Sequence, residues 1–193
     1  PGDPSLIEAK CGGTFAGATP PVLAELGLAC GHYLLYVSRL EPENNAHVVI
    51  AAYNKLAQHL PAMPLVIVGD APYAGAYIAR LKKNAVGSVI FAGYRFGAAY
   101  EDLQTNAYLY IQATEVGGTH PALVEAMGYA NCIVANDTPE NREVLGDAGF
   151  YYAKNDEQSL ERELRILLDD SQLCTEARNK AVCRARELFT WDQ

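Results

Sequence analysis

The sequence predicts a doubly wound, Rossmann-like parallel α/β sheet. Three observations carry that expectation. Short, continuous apolar runs recur along the chain, as in strands buried on both faces. Between them lie stretches with helical spacing of apolar residues. Glycine-rich turns close several of the runs, as at Gly69-Asp70-Ala71-Pro72 and Gly93. Strands separated by helices require crossover connections, and these build parallel sheets.

Taken in order, residues 1–30 are rich in Gly and Pro and read as a linker with at most a short helix at Val22–Leu26. Tyr33–Val37 is the first strand. The loop Ser38–Asn45 leads into a helix over about 46–60. Leu65–Val68 is the second strand, followed by a helix over Tyr73–Asn84. Val89–Phe91 is the third strand, then a helix over about 98–105. Tyr108–Gln112 is the fourth strand. The loop Ala113–His120 precedes a helix from Pro121 to about Tyr129. Cys132–Ala135 is a strand, Asn141–Leu145 a short helix, and Phe150–Tyr152 the last strand. Helices over about 158–168 and 172–188 close the chain.

The chain has 193 residues, 50% of them hydrophobic and 20% charged, enough for one packed domain. Lys and Arg total 15 against 23 Asp and Glu, a formal net charge of −8. That balance argues against gripping nucleic acid or an anionic membrane by charge. The longest apolar stretches are too short to span a bilayer. No basic-then-apolar leader opens the chain, so no signal peptide is expected. The five cysteines include no C-x-x-C pair, and none sits at metal-finger spacing to the four histidines. Idle thiols of a reducing compartment are expected.

In such sheets ligands bind where the strand–helix loops gather, at the carboxyl edge. Four loops there carry unusual chemistry. In Thr114–Ala126, Gly117 and Gly118 allow close backbone approach. Thr119 suits a cap and Pro121 a first helical turn, so the helix start offers an anion site. Glu125, one turn in, has the carboxylate to accept bonds from two adjacent ribose hydroxyls. The alternative is a Gly-rich turn capping a core helix, with Glu125 on a solvated face. Arg39, after the first strand, has a planar fork suited to a diphosphate; otherwise it pairs with Glu41 or Glu43. Gly69, after the second strand, reads chiefly as a turn. In Phe91-Ala92-Gly93-Tyr94-Arg95-Phe96, after the third, two aromatics beside a glycine and an Arg can hold a flat base or serve loop packing.

These loops together resemble the C-terminal, donor-binding domain of family 4 glycosyltransferases, the retaining enzymes of GT-B architecture. The resemblance rests on six blocks in register over about 33–193: Val37–Asn45, Val68-Gly69-Asp70, Val89–Gly93, Glu125–Gly128, Cys132–Asp137 and Asn141–Leu145. The family's two glutamates lie eight apart, which from Glu125 falls on Gly117. Its usual lysine five after Arg39 is Asn44 here. Both departures, with Val116–Thr119 and Asn141–Gly149, are similar to the bacterial rhamnosyltransferase-type branch.

The resemblance implies that Arg39 neutralises the donor diphosphate, with Asn44 adding a weaker contact. It implies that Glu125 holds the ribose, and that Gly117, Gly118, Thr119 and His120 cradle the sugar and β-phosphate. Glu115 is the candidate for the family's first glutamate, holding a sugar hydroxyl. Gly69 lies on the nucleotide side, and Phe91, Tyr94 and Arg95 flank the base. The implied donor is a dTDP-, UDP- or GDP-sugar, dTDP-L-rhamnose for the branch, with no tightly bound cofactor and no metal. The implied partner is a saccharide or lipid-linked acceptor, and the implied place is the cytoplasm, peripheral to the inner membrane face. On this reading residues 1–30 are an interdomain linker remnant, 31–193 form the donor domain, and an N-terminal acceptor domain is absent. The fragment by itself is then expected to bind nucleotide weakly and transfer no sugar. The alternatives are an epimerase or hydrolase on the same scaffold, or a binding-only domain.

Overall fold

The computed structural model describes residues 18–58, 63–115 and 121–189. Among them, six strands form one sheet: β1 (Leu34–Val37), β2 (Leu65–Val68), β3 (Val89–Gly93), β4 (Leu109–Gln112), β5 (Cys132–Asn136) and β6 (Phe150–Tyr152). Their spatial order is β3-β2-β1-β4-β5-β6, and every neighbouring pair is parallel. The helices are α1 (Pro21–Leu26), α2 (Ala46–Leu56), α3 (Gly75–Asn84), α4 (Ala98–Asn106), α5 (Pro121–Gly128), α6 (Pro139–Leu145), α7 (Glu157–Asp169) and α8 (Ser171–Leu188). The expected α/β class is thus the observed one.

The continuous apolar runs are explained by burial on both faces. Along β1, β2, β4 and β5, alternate side chains enter two separate cores. Leu34, Tyr36, Leu65, Ile67, Leu109, Ile111 and Val134 pack with α2 and α7 on one face. Leu35, Val66, Val68, Tyr110, Ile133 and Ala135 pack with α1, α4, α5 and α6 on the other.

Local chemistry sets several helix ends. Asp156 caps α7 by accepting from the amides of Gln158 and Ser159, and Asp170 caps α8 from those of Gln172 and Leu173. Helix α6 begins two residues earlier than the sequence suggests. Thr138 caps it by accepting from the Asn141 amide, and Pro139 occupies the first turn.

Residues 1–17 of the expected linker lie outside the described residues; within 18–30 the short helix expected at Val22–Leu26 is present as α1. Helix α1 packs against α4, and Val22, Leu23 and Leu28 belong to the core. Gly27 (φ +65°) ends the helix, and the Leu28 amide returns to the Leu23 carbonyl at 2.8 Å. Cys30, Cys132, Cys174 and Cys183 form no disulfide; Cys11 lies outside the described residues.

Candidate functional site

The connection after β1 leads to α2 on one face of the sheet, and that after β4 leads to α5 on the other. Because β1 and β4 are neighbours, their loops diverge and leave a crevice at the carboxyl edge. A cleft of about 670 Å³ lies there. Its walls bring together the loops after β1, β2 and β3, the end of β4, and the starts of α4 and α5.

The β1 loop is built to hold a backbone still while leaving one side chain out. The Tyr36 hydroxyl donates to the Asn44 carbonyl at 2.6 Å, and Asn44 Nδ2 donates to the Arg39 carbonyl at 2.8 Å. Arg39 itself lines the cleft with its side chain 69% exposed, 3.4 Å from Glu41. Asn44 also lines the cleft, but its amide is spent on the loop and its residue is buried. Asn44 thus sits at the cleft, as expected, with its Nδ2 tying the loop backbone at Arg39. Glu41 in turn accepts from the Tyr73 hydroxyl.

Gly69 packs directly against this loop. Its φ is +127°, and a Cβ there would stand 1.9 Å from the Ser38 carbonyl oxygen. The loops after β1 and β2 approach this closely because residue 69 has no side chain.

The β3 loop divides its residues between the cleft and the scaffold. Tyr94 lines the cleft and its hydroxyl donates to the Asp70 carbonyl at 3.0 Å. The ring stacks on Phe96, with centroids 5.9 Å apart and planes 20° from parallel. Phe96, the last residue of the aromatic loop read from the sequence, is 78% exposed. Arg95 touches the cleft, but its guanidinium forks onto Glu25 of α1 at 2.6 and 3.0 Å. Its Nε donates to the Ala92 carbonyl at 3.0 Å. Arg95 thus lines the cleft and also ties this loop to α1. Phe91 departs from its expected place. It sits on the face covered by α2 and α3, with the Lys82 ammonium 5.6 Å from its ring centroid, and does not line the cleft.

Helix α5 presents its first turn, Pro121 and Ala122, and then Glu125 to the cleft. The start of a helix carries unpaired N–H groups and a positive dipole end. Glu125 accepts a 2.6 Å hydrogen bond from the Tyr100 hydroxyl. Burial, with the Glu125 carboxylate alongside, pushes that phenol well above its ordinary pKa, so it stays a donor. Tyr100 and Gln112 also line the cleft and carry no sequence signal beyond helix or strand periodicity; Thr114, the first residue of the Gly-rich loop, lines it as well.

Glu115 lies just past the cleft wall. Lys154 approaches one carboxylate oxygen at 2.9 Å and Asn155 Nδ2 donates to the other at 2.8 Å. These two hold its carboxyl below the usual carboxylate range. Asn155, in the left-handed region at φ +57°, also accepts from Asn45 and Asn136. Gly117, Gly118, Thr119 and His120 lie outside the described residues. Among the described residues no group of three or more His, Cys, Asp or Glu is arranged to hold a metal ion.

Comparison with known proteins agrees with this architecture. The model of the family "Glycosyl transferases group 1" matches residues 31–187. The chain is 24% identical over 175 residues to an O-antigen chain mannosyltransferase B of Escherichia coli, covering 89% of this chain and 46% of that protein. It is 27% identical over 165 residues to a Campylobacter jejuni protein, covering 80% and 42%. That protein is named N-acetylgalactosamine-N,N'-diacetylbacillosaminyl-diphospho-undecaprenol 4-alpha-N-acetylgalactosaminyltransferase. The chain thus spans less than half the length of these curated relatives. Among solved structures, Anabaena HepE in complex with UDP and glucose superposes with a TM-score of 0.78 at 24% identity, over 97% of this chain and 49% of that one. That likeness bears on the fold, and the family match extends from β1 to the penultimate residue of α8: the chain belongs to the group 1 glycosyl transferases.

Proposed function

We propose that this domain holds the nucleoside-diphosphate sugar donor of a glycosyl transferase. The observation that carries the reading is the cleft between Arg39 and the start of α5. The donor's diphosphate lies between the Arg39 guanidinium and the α5 N–H groups, its ribose hydroxyls on Glu125, and its base along Tyr94 and Phe96. Gly69 gives the nucleotide close access to the β1 loop. Supporting ligands are the UDP and glucose present in the Anabaena structure.

The reaction breaks the bond between the anomeric carbon and the terminal phosphate oxygen, whose electron pair leaves with the nucleoside diphosphate. The acceptor hydroxyl oxygen forms the new bond to that carbon and passes its proton to the departing diphosphate oxygen. Arg39 and the helix start stabilise the charge growing on the diphosphate. The transfer proceeds with retention and needs no metal. Acceptor contacts belong to a companion N-terminal domain, whose acceptor is a saccharide or a lipid-linked one, as in the Campylobacter relative's name. Residues 31–193 are the donor domain, inactive in transfer by themselves. Among the described residues no helix is long and apolar enough to cross a membrane; on our reading the enzyme works in the cytoplasm, against the inner membrane face.

A rhamnosyl donor draws no support from these relatives, named for mannosyl and N-acetylgalactosaminyl transfer. The proposal is therefore the donor class, and calorimetric titration with UDP, GDP, dTDP and ADP, with and without Mg²⁺, tests it. Expected is selective, metal-independent binding of one diphosphate, lost in Arg39→Ala and Glu125→Ala. Selectivity for dTDP would restore the rhamnosyl reading. Binding of none, in this chain and in a chain including the N-terminal domain, would refute the donor site.

A further inference from the structure

Behind Glu125 runs a chain of side-chain hydrogen bonds that the proposed donor contacts do not use. The Tyr100 hydroxyl donates to Glu125 Oε2 at 2.6 Å. The Tyr100 hydroxyl oxygen in turn accepts from Gln104 Nε2 at 2.9 Å, one turn further along α4. Gln104 Oε1 accepts from Asn131 Nδ2 at 3.0 Å. Gln104 and Asn131 are both fully buried. Asn131 sits in the turn after α5, where its amide donates to the Ala126 carbonyl at 3.0 Å. The chain therefore leaves α5, crosses to α4, and returns just past the end of α5.

Chemistry fixes its direction. An ionised carboxylate only accepts, so the phenol must point its proton at Glu125. The phenol oxygen is then left with lone pairs, and Gln104 must face it with its NH₂ group. That turns the Gln104 carbonyl toward Asn131, which presents its own NH₂ group. Reversing any amide would set two acceptors or two donors face to face in a buried place.

We infer that Tyr100 and Gln104 are positioning residues for Glu125. They occupy one acceptor site of the carboxylate and fix its place at the cleft, leaving its remaining capacity for a vicinal diol. Without the anchor an exposed glutamate samples many rotamers, and ligand binding must order it. The anchor also carries no charge, so it holds the carboxylate without neutralising it. This inference rests on the reading of Glu125 as the ribose-binding group.

The test is calorimetric titration of UDP, 2′-deoxy-UDP and inorganic pyrophosphate into the wild-type chain, Tyr100→Phe, Glu125→Gln and the double variant. Thermal unfolding of each checks folding. Loss of one hydrogen bond to a charged group predicts about tenfold weaker UDP binding in Tyr100→Phe. The affinity ratio of UDP to 2′-deoxy-UDP should fall toward one, and pyrophosphate binding should hold. The double variant should bind UDP no more weakly than Glu125→Gln, since Tyr100 acts through that carboxylate. Gln104→Met, which leaves Tyr100 in place, should lower the same ratio and carries the test if Tyr100→Phe fails to fold. Tyr100→Phe with unchanged UDP affinity, while Glu125→Gln weakens it, would overturn the inference and leave the donor site standing. So would equal losses for UDP and pyrophosphate. A Glu125→Gln variant that binds UDP normally would overturn the ribose role and the inference with it.

Discussion

Replacing Gly69 with alanine should damage this fold more than replacing any open-space glycine. Gly69 has φ +127°, and a Cβ there would meet the Ser38 carbonyl oxygen at 1.9 Å and its carbon at 2.9 Å. Restoring an ordinary contact of 3.4 Å needs a movement of about 1.5 Å. The atoms that must move are tied into the sheet edge. The Ser38 amide donates to the Val68 carbonyl at 3.0 Å, and the Gly69 amide to the Gly93 carbonyl at 2.8 Å. Positive-φ strain costs about 1–2 kcal/mol, and loosening one or two such hydrogen bonds about 1 kcal/mol each. A loss of about 3 kcal/mol in a domain this size lowers the melting midpoint by about 6–12 °C. Gly93→Ala is the matched comparison. Its φ is +68° but nothing lies within 4 Å of its Cβ, so it should cost about 1 kcal/mol. Scanning calorimetry and urea unfolding measure both. A Gly69→Ala protein melting within about 2 °C of wild type, or no lower than Gly93→Ala, would refute the close-approach argument.

Thr138→Ala removes the hydroxyl that accepts from the Asn141 amide at the start of α6. It should cost about 1 kcal/mol in urea unfolding, with Thr138→Ser restoring most of it. Acid should destabilise the domain through its depressed carboxyls. Arg142 holds Asp137 low, Lys154 and Asn155 hold Glu115 low, and the Ser159 and Gln158 amides hold Asp156 low. Each contribution is complete above the unfolded carboxyl pKa of about 4 and is lost as pH falls through the lower folded value. The melting midpoint should therefore drop between about pH 5 and about pH 2.5, less steeply in Asp156→Asn than in wild type. An unchanged midpoint across that window would contradict it.

Sequence reasoning found the fold because burial on both faces of a parallel sheet leaves a direct trace. Runs such as Leu65–Val68 have no polar alternation to misread. It pointed to the carboxyl edge, where the cleft lies, for a related reason: strand order and loop position are topological. It says less where a side chain's partner decides its place. Nothing local shows that Arg95 meets Glu25, since the two are 70 residues apart. Phe91 follows from the pleat: Phe91 pairs in register with Ile67, whose side chain faces the α2 layer. Spacing put Asn44 at the cleft but could not show that its Nδ2 also ties back to its own loop. The linker reading rests on the Gly and Pro of residues 1–30 as a whole; nothing local shows the burial of Leu23, which depends on α4, far along the chain.

The partition of charge at the cleft follows from these partners. Arg95 faces an acidic partner and Glu115 a basic one, so each is close to neutralised where it stands. Arg39 meets Glu41 at 3.4 Å with most of its side chain in solvent, an arrangement worth about 1 kcal/mol or less. Glu125 is held by a neutral phenol, which orients a carboxylate without cancelling it. The cleft therefore keeps a cation near the β1 loop and an anion on α5, with stacked aromatics at its rim. A simple anion would use the cation and be repelled by Glu125. A neutral sugar would use the carboxylate and leave the helix start and Arg39 idle. A ligand that carries negative phosphates at one point, hydroxyl donors at the next and a flat ring beyond uses every wall. That ordering is the chemistry of a nucleoside diphosphate, and it is why the donor reading rests on the cleft as a whole rather than on Arg39 or Glu125 taken singly.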